Sequence, residues 1–370
     1  MPEMPPQVPI DFDEIREYVE RKQVVMNKTA RGLPAERTNL AGATFVMCDF
    51  AECDFSGANA SGTTFVRCDL SKTVFSEAIL KGTSFVECIM AGADMRDCEL
   101  ERVQLVGCTA PAFEAQGGAL DQCSFVAAEL SGADFRDVAA NRSAFLDCRV
   151  DDLSFGSAVL SSTLMTKADL RVVDVTGTHI DTGAFCEANL SGMDLSGQTW
   201  QRCTFYQATL RGTVLDGATL EGSIFTECDF TGASLKGVQA NTAGFNKSKL
   251  DGVDLSGSAF WMANFAEASL RGANLSGSQL FSAAFTGADS TAARLEQCDL
   301  RQAEMSHADL TRANLSASAF HNTKLHAAKR EGALLLGISG SSFDTDQDRA
   351  IGELYSPHVV ALDDDPNQSR

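Results

Sequence analysis

The sequence predicts an all-β solenoid: a square stack of about 15 coils, with a short helix over its first end and an extension at its last. Three observations predict it. An apolar residue recurs every fifth position from Leu40 to Leu325, so that 52 of those 58 positions are Leu, Phe, Met, Ile, Val or Trp. The exceptions are Ala60, Ala110, Ala115, Ala140, Ala240 and Ser290, and no insertion or deletion breaks the register. A second period of twenty lies on top of the first: Phe45, Phe65, Phe85, Phe125, Phe145, Phe185, Phe205, Phe225, Phe245, Phe265 and Phe285 share one column. Finally, the residue two before each centre is small, as at Ala43, Cys48, Ala58 and Thr63, and Gly often stands two after it, as at Gly42, Gly57 and Gly132.

A spacing of five fits neither a helix, whose stripe follows 3.6 residues, nor a flat strand, whose faces alternate every second residue. A chain that bends at every fifth residue keeps each fifth side chain pointing inward. Four such segments close a square, and squares stack at the ordinary strand spacing of about 4.8 Å, giving a rod of roughly 70 Å. The narrow interior takes one large and one small side chain per segment at native density. Glycine after the centre suits a tight corner. The phenylalanine column then forms a ladder of stacked rings inside one wall.

Composition agrees and excludes alternatives. The 370 residues are 44% apolar and 22% charged, which excludes wholesale disorder. Fifty acidic and 30 basic side chains leave a net charge of -20, and the basic ones are too scattered to form a groove. Direct nucleic-acid binding is therefore not expected. Membrane insertion is not expected either, because no apolar run reaches the length of a span. The start, Met1 to Ile10, is proline-rich and lacks the basic and apolar regions of a secretory signal. With twelve cysteines it points to a reducing, cytoplasmic setting, export by a route needing no such signal being the alternative.

Segments such as Ala133-Asp134-Phe135, Ala188-Asn189-Leu190, Ala273-Asn274-Leu275 and His307-Ala308-Asp309-Leu310 place a small residue and then Asp or Asn before the apolar centre. In this the chain resembles the pentapeptide-repeat family over residues 37 to 329. The resemblance implies a right-handed, quadrilateral parallel β-helix and says little about function, which varies widely on this fold.

Residues 1–36 are expected to be an N-terminal extension with a capping helix from Asp11 to Val25, whose Phe12, Ile15, Tyr18 and Val19 share a face. Residues 37–335 are the β-helix and 336–370 a C-terminal extension. In that extension Gly337 to Ser342 reads as a loop, Asp344 to Tyr355 as a short helix, Val359 to Leu362 as a strand or hook, and Asp363 to Arg370 as a partly disordered acidic tail. A plain cap and a homodimer contact are the two roles open to it.

The pattern is disturbed once, around Cys108 to Gly118. There Ala110 and Ala115 are small centres, Phe113 fills a small slot, and Pro111, Gly117 and Gly118 add irregularity. A repacked coil and a kink marking an interaction site both fit. Eleven of the twelve cysteines, all but Cys186, occupy the small inward slot, and Cys48, Cys68, Cys88 and Cys108 lie one above another. Without Cys-x-x-Cys pairs these read as small apolar fillers, with stacked disulfides the alternative. His307, His321 and His326 fall within about one coil and read as surface residues rather than a metal site.

No phosphate loop, nucleophile elbow or triad is present, and a filled rod offers no pocket. The expectation is a non-enzymatic protein without cofactor or metal that serves as a rigid scaffold for another protein. The resemblance adds two settings: an accessory or effector of a bacterial secretion system of type VI kind, or a DNA mimic that binds DNA gyrase or topoisomerase and protects or inhibits it. Many of the acids, such as Asp49, Asp69 and Asp134, directly precede a centre, where the repeat itself asks for Asp or Asn. That makes the acidity largely a by-product of the repeat and favours the scaffold.

Overall fold

The five-residue period closes into a parallel β-solenoid of about 17 turns, two more than the sequence count. The computed structural model describes residues 6–345 and residue 347. Neighbouring coils pair in parallel with a register of twenty, as in Phe45↔Phe65, Phe65↔Phe85 and Phe125↔Phe145. Single bridges such as Asp229↔Lys249 and Asp289↔Asp309 carry the same register through the later coils. The wall of the phenylalanine ladder is the most strand-like at first, with Thr44–Val46, Thr64–Val66, Ser84–Val86 and Ser124–Val126 in one sheet. From Phe185 to Phe285 this wall is joined by single bridges, whether Thr226 or Asn246 follows the centre.

Backbone hydrogen bonds can be traced around one centre. Phe50 N–H donates to the Asp69 carbonyl at 2.8 Å, Glu52 N–H to the Ser71 carbonyl at 2.8 Å, and Asp49 N–H to the Lys28 carbonyl at 2.8 Å. Cys53 N–H closes the corner on the Phe50 carbonyl at 3.1 Å. One N–H of the five remains, that of Ala51, and it donates to the Asp49 carboxylate at 3.0 Å. The same bond joins Ser56 to Asp54, Ser71 to Asp69 and Thr231 to Asp229. An unsatisfied backbone donor is costly, so this bond is the physical reason Asp or Asn precedes the centre.

Each corner also needs a left-handed residue two places after the centre. From Arg37 to Gly337 every such position has φ between +49° and +74° except Val172. Many are not glycine, among them Glu52, Arg67 and Glu227. Val172 is the one Val or Ile among these positions, and its coil turns instead through a 3-10 helix, Leu170–Val172. Its branched Cβ disfavours the left-handed region, and it lacks the hydroxyl with which Thr182 and Thr242, branched but left-handed, bond locally to Asp181 and the Asn241 carbonyl.

The core is one continuous column. Phe45, Phe65, Phe85, Phe125, Phe205, Phe245, Phe265 and Phe285 are at most 1% exposed. Rings stack coil upon coil, Phe65 on Phe85 with centroids 5.2 Å apart and Phe205 on Phe225 at 4.7 Å. The small slot does more than fill space: its thiols and hydroxyls donate to the carbonyl of a centre one coil back. Thr63 Oγ1 meets the Leu40 carbonyl at 2.7 Å, Ser278 Oγ the Leu255 carbonyl at 3.0 Å, and Cys98 Sγ the Phe75 carbonyl at 3.1 Å.

The ends differ from expectation. The capping helix is Phe12–Glu20, with Asp11 as N-cap accepting from Glu14 N–H at 2.8 Å. It stops well before Val25, which already pairs with Phe45 as a buried centre. Val8–Pro9 pairs with Lys28–Thr29, so the ladder starts before residue 37. The small centres Ala30 and Ala35, 2% exposed, concealed this start. At the other end Ser342–Phe343 is a strand, not loop, and pairs with Thr323–Lys324 at a register of nineteen. Gly340, at φ +86°, makes the shortcut: a Cβ there would fall on the Phe320 carbonyl. The helix expected from Asp344 has not begun at Asp344 and Thr345, and the rest of it but residue 347, with the hook and tail, lies outside the described residues.

Candidate functional site

With the lumen filled by side chains, the outer walls and the two ends are the surfaces open to a partner. The stretch around Cys108 to Gly118 is repacked and not kinked. Phe113 is fully buried, its ring 5.9 Å from Phe135, while Ala110 and Ala115 make room. Bridges Ile89↔Thr109↔Glu129 and Asp94↔Glu114↔Asp134 run through it in register. Pro111 sits at a corner, Gly117 at a left-handed position, and Gly118 in a slot where a Cβ would come 3.1 Å from two carbonyls.

The cysteines are free thiols. Burial pushes Cys53, Cys98 and Cys123 up to about 11 and Cys203, Cys228 and Cys298 up to about 12. Cys68, Cys88 and Cys108 each donate to the Phe carbonyl one coil back at 3.3–3.5 Å, which holds the stack as thiols. His326 is buried at 4% exposure, against the surface reading, and packs edge-on to His307 with centroids 5.4 Å apart. Among the described residues no group of His, Cys, Asp or Glu could hold a metal ion, and no helix is long and apolar enough to cross a membrane.

The walls carry different chemistry. Along the Phe45 wall neither outward position holds a charge from Thr44 to Thr286, the residues being of the kind of Thr64, Val66, Ser124 and Val126. The Phe50 wall is charged but neutralises itself: Arg31 spans Asp49 at 2.9 Å and Asp69 at 3.3 Å, and Arg271 holds Asp289 at 2.6 Å. The Phe55 wall is acidic. Between residues 37 and 329 its two outward positions bear nine carboxylates and four basic groups, against 16 and nine on the outward positions of the other three walls together. Asp94 and Asp134 are forked by Arg96 and Arg136, whose guanidinium groups hold both carboxyls below the usual range. Asp174, Asp194, Asp216 and Asp254 have no ion pair among the described residues. The acids before a centre therefore do two things: they cap corners and they stand on the wall.

These repeats match family models along the chain. A "Pentapeptide repeat region" model matches residues 38–114, and a "Pentapeptide repeats (8 copies)" model matches 188–226, 203–239, 248–287 and 291–328. The chain belongs to the pentapeptide-repeat family. No curated protein matches this pentapeptide-repeat chain at a significant level. Among solved structures it is similar to HetL, a pentapeptide repeat protein involved in heterocyst differentiation regulation from the cyanobacterium Nostoc. Identity there is 21%, over 62% of this chain and 87% of that one, with a TM-score of 0.20. QnrB1, a plasmid-mediated fluoroquinolone resistance protein, is 17% identical over 68% and 93%, with a TM-score of 0.21. A pentapeptide repeat protein of the Arabidopsis thaliana thylakoid lumen is 33% identical over 30% and 68%, with a TM-score of 0.14.

The apolar end of the rod and one corner were not singled out in the sequence. Leu334, Leu336 and Phe343 are 50%, 73% and 60% exposed in the last described coil. Trp261 and Met262 stand 51% and 65% exposed on one corner. The signal for the corner was present: apart from Ala41 and Phe281, the other coils from Ala41 to Asn322 place polar or charged residues or glycine in those two columns.

Proposed function

We propose that this pentapeptide-repeat protein is a non-catalytic rod that binds another protein through its outer walls. The observation that carries the reading is the division of labour among walls around a filled interior. A lumen packed with Phe and Leu has no room for substrate, while uncharged, self-paired and acidic walls present separate surfaces to partners. An accessory or effector role beside a bacterial secretion apparatus is one setting for such a rod. Affinity purification of the full chain from its native host tests the reading, which predicts a stoichiometric protein partner. Recovery of the rod alone, at native expression and in mild salt, contradicts it. Secretion-tube or spike proteins among the partners would place it in that setting.

The acidic Phe55 wall supports a second reading, mimicry of DNA toward DNA gyrase or another topoisomerase. A row of carboxylates at coil spacing offers a basic groove a repeating negative edge. A supercoiling assay with the full chain at micromolar concentration tests it: neither inhibition nor protection from a gyrase poison removes the reading.

A further inference from the structure

We propose that the corner running from Met262 past Ser282 and Gln302 to Asn322 is a docking groove for an extended, apolar segment of a partner protein, anchored by Trp261 and Phe281. The inference rests on the scaffold reading and names the class of partner for one site. The residues that break the array's own rule argue for it. In the other coils of this corner the two positions are polar, charged or glycine, Ala41 and Phe281 apart, yet here Trp261 is 51% exposed and Met262 is 65% exposed. Met262 also holds a left-handed φ of +56°, which suits glycine better, so its side chain is not explained by the needs of the turn. Trp261 and Phe281 lie one coil apart with ring centroids at 6.3 Å, and the Arg301 guanidinium sits 5.7 Å from the Phe281 ring. Trp, Phe, Met and Arg are the side chains enriched where proteins meet.

The shape selects the occupant. Ser282, Gln302, Asn322, Lys324 and Phe343 line one continuous depression on the same side of the rod. Met262 to Asn322 spans three coil steps, roughly 14 Å, which is the length of about four extended residues. Hydroxyl and amide groups along that line can meet the main chain of a peptide, while Trp261 and Phe281 take its apolar side chains. The flanking charges are already matched: Arg301 holds Asp299 at 2.6 Å and Lys324 holds Glu304 at 3.1 Å. The partner segment therefore needs no net charge. Trp261 and Met262, each about half exposed, offer on the order of 200–300 Å², far below the ~800 Å² per partner of a stable dimer, which argues against a second copy.

The test is selection of random peptides of about a dozen residues, displayed on phage, against the full chain. Enriched peptides should share aromatic or aliphatic residues and lose at least tenfold in affinity on Trp261→Ala or Phe281→Ala. They should bind Arg96→Ala rods normally and vary little with salt. No enrichment, or binding indifferent to both substitutions, overturns the proposal. So does Trp261-dependent binding of a synthetic peptide of residues 346–370, which would make the occupant this chain. Self-association lost on Trp261→Ala would overturn it in favour of a second copy. Both variants change exposed or half-buried corners, and unchanged melting curves show that they fold. A partner captured equally well by wild type and Trp261→Ala sinks the groove but leaves the scaffold reading standing.

Discussion

Phe12 of the N-terminal helix meets Phe55 of the solenoid edge-on, ring centroids 5.9 Å apart and planes at 89°. The intervening centre in that column is Ala35, too small to cover Phe55 by itself. The helix thus supplies from outside the repeat the ring that the first coils lack, and Ile15 beside it is fully buried. Phe12→Ala should cost about 1–3 kcal/mol. Hydrogen exchange should quicken around Val25 to Ala35 and stay unchanged around Phe285, since a repeat array frays from its ends. Uniform loss of protection along the rod would contradict the capping role.

Inside the rod, Phe205 lies between Phe185 and Phe225, at 5.2 and 4.7 Å. Phe205→Ala should cost about 3–5 kcal/mol by opening a cavity in the ladder. Arg211, on the wall, is 59% exposed and reaches Asp229 at 3.4 Å. Arg211→Ala should cost less than about 0.5 kcal/mol. Thermal or urea melts of the two variants decide the matter.

Two glycines separate strain from crowding. At Gly212 a Cβ would touch nothing within 4 Å, so Gly212→Ala pays only for its φ of +64°, about 1 kcal/mol. At Gly183 a Cβ would come 2.7 Å from the Phe185 ring and 2.9 Å from Ile180 Cγ2. The Phe185 ring takes that empty slot, and Trp200 stacks on the same ring at 5.5 Å. Gly183→Ala should cost more than Gly212→Ala, about 1–3 kcal/mol, by overpacking. Equal losses in urea melts would refute the distinction.

Thiol reactivity should follow position. In the native protein at pH 8 a disulfide reagent should label Cys186 first, because it alone sits outside the inward slots. Cys203, Cys228 and Cys298, pushed up to about 12 by burial, hold almost no thiolate at that pH. All twelve should react after denaturation. Rapid native labelling of Cys228 would mean that the coils open locally.

Acid should weaken the rod. Bonds from Arg96, Arg136, Arg171 and Arg301 hold Asp94, Asp134, Asp169 and Asp299 below their ordinary value. A carboxyl depressed in the folded state contributes stability that is fully present above its unfolded value, about pH 4, and is lost as pH falls through the folded value. The urea midpoint should hold from pH 7 to 5 and fall below pH 4. A midpoint that rises on acidification would reverse the sign of these pairs.

Much of this was legible because an inward side chain must recur wherever the chain turns. Phe45, Phe65 and Phe85 announce a wall and a coil length together, and Asp before the centre was visible as a habit. Its cause was not, since the N–H that Asp49 takes is left over only once the bonds of Phe50, Glu52 and Cys53 are assigned in three dimensions. The start at Val25 was hidden because Ala30 and Ala35 carry no apolar signal. The exposed apolar end at Phe343 was hidden because nothing in a linear string says which residue lacks a neighbour, whereas Trp261 departs visibly from its own column.

The sequence by itself determined the period, the square coil and the inward column, because side-chain volume and corner geometry are local demands repeated every five residues. The tertiary structure alone decided which outward residues share a wall. Neighbours on a wall are twenty positions apart, so charges that look scattered along the chain gather into acidic, self-paired and uncharged strips when the coils stack.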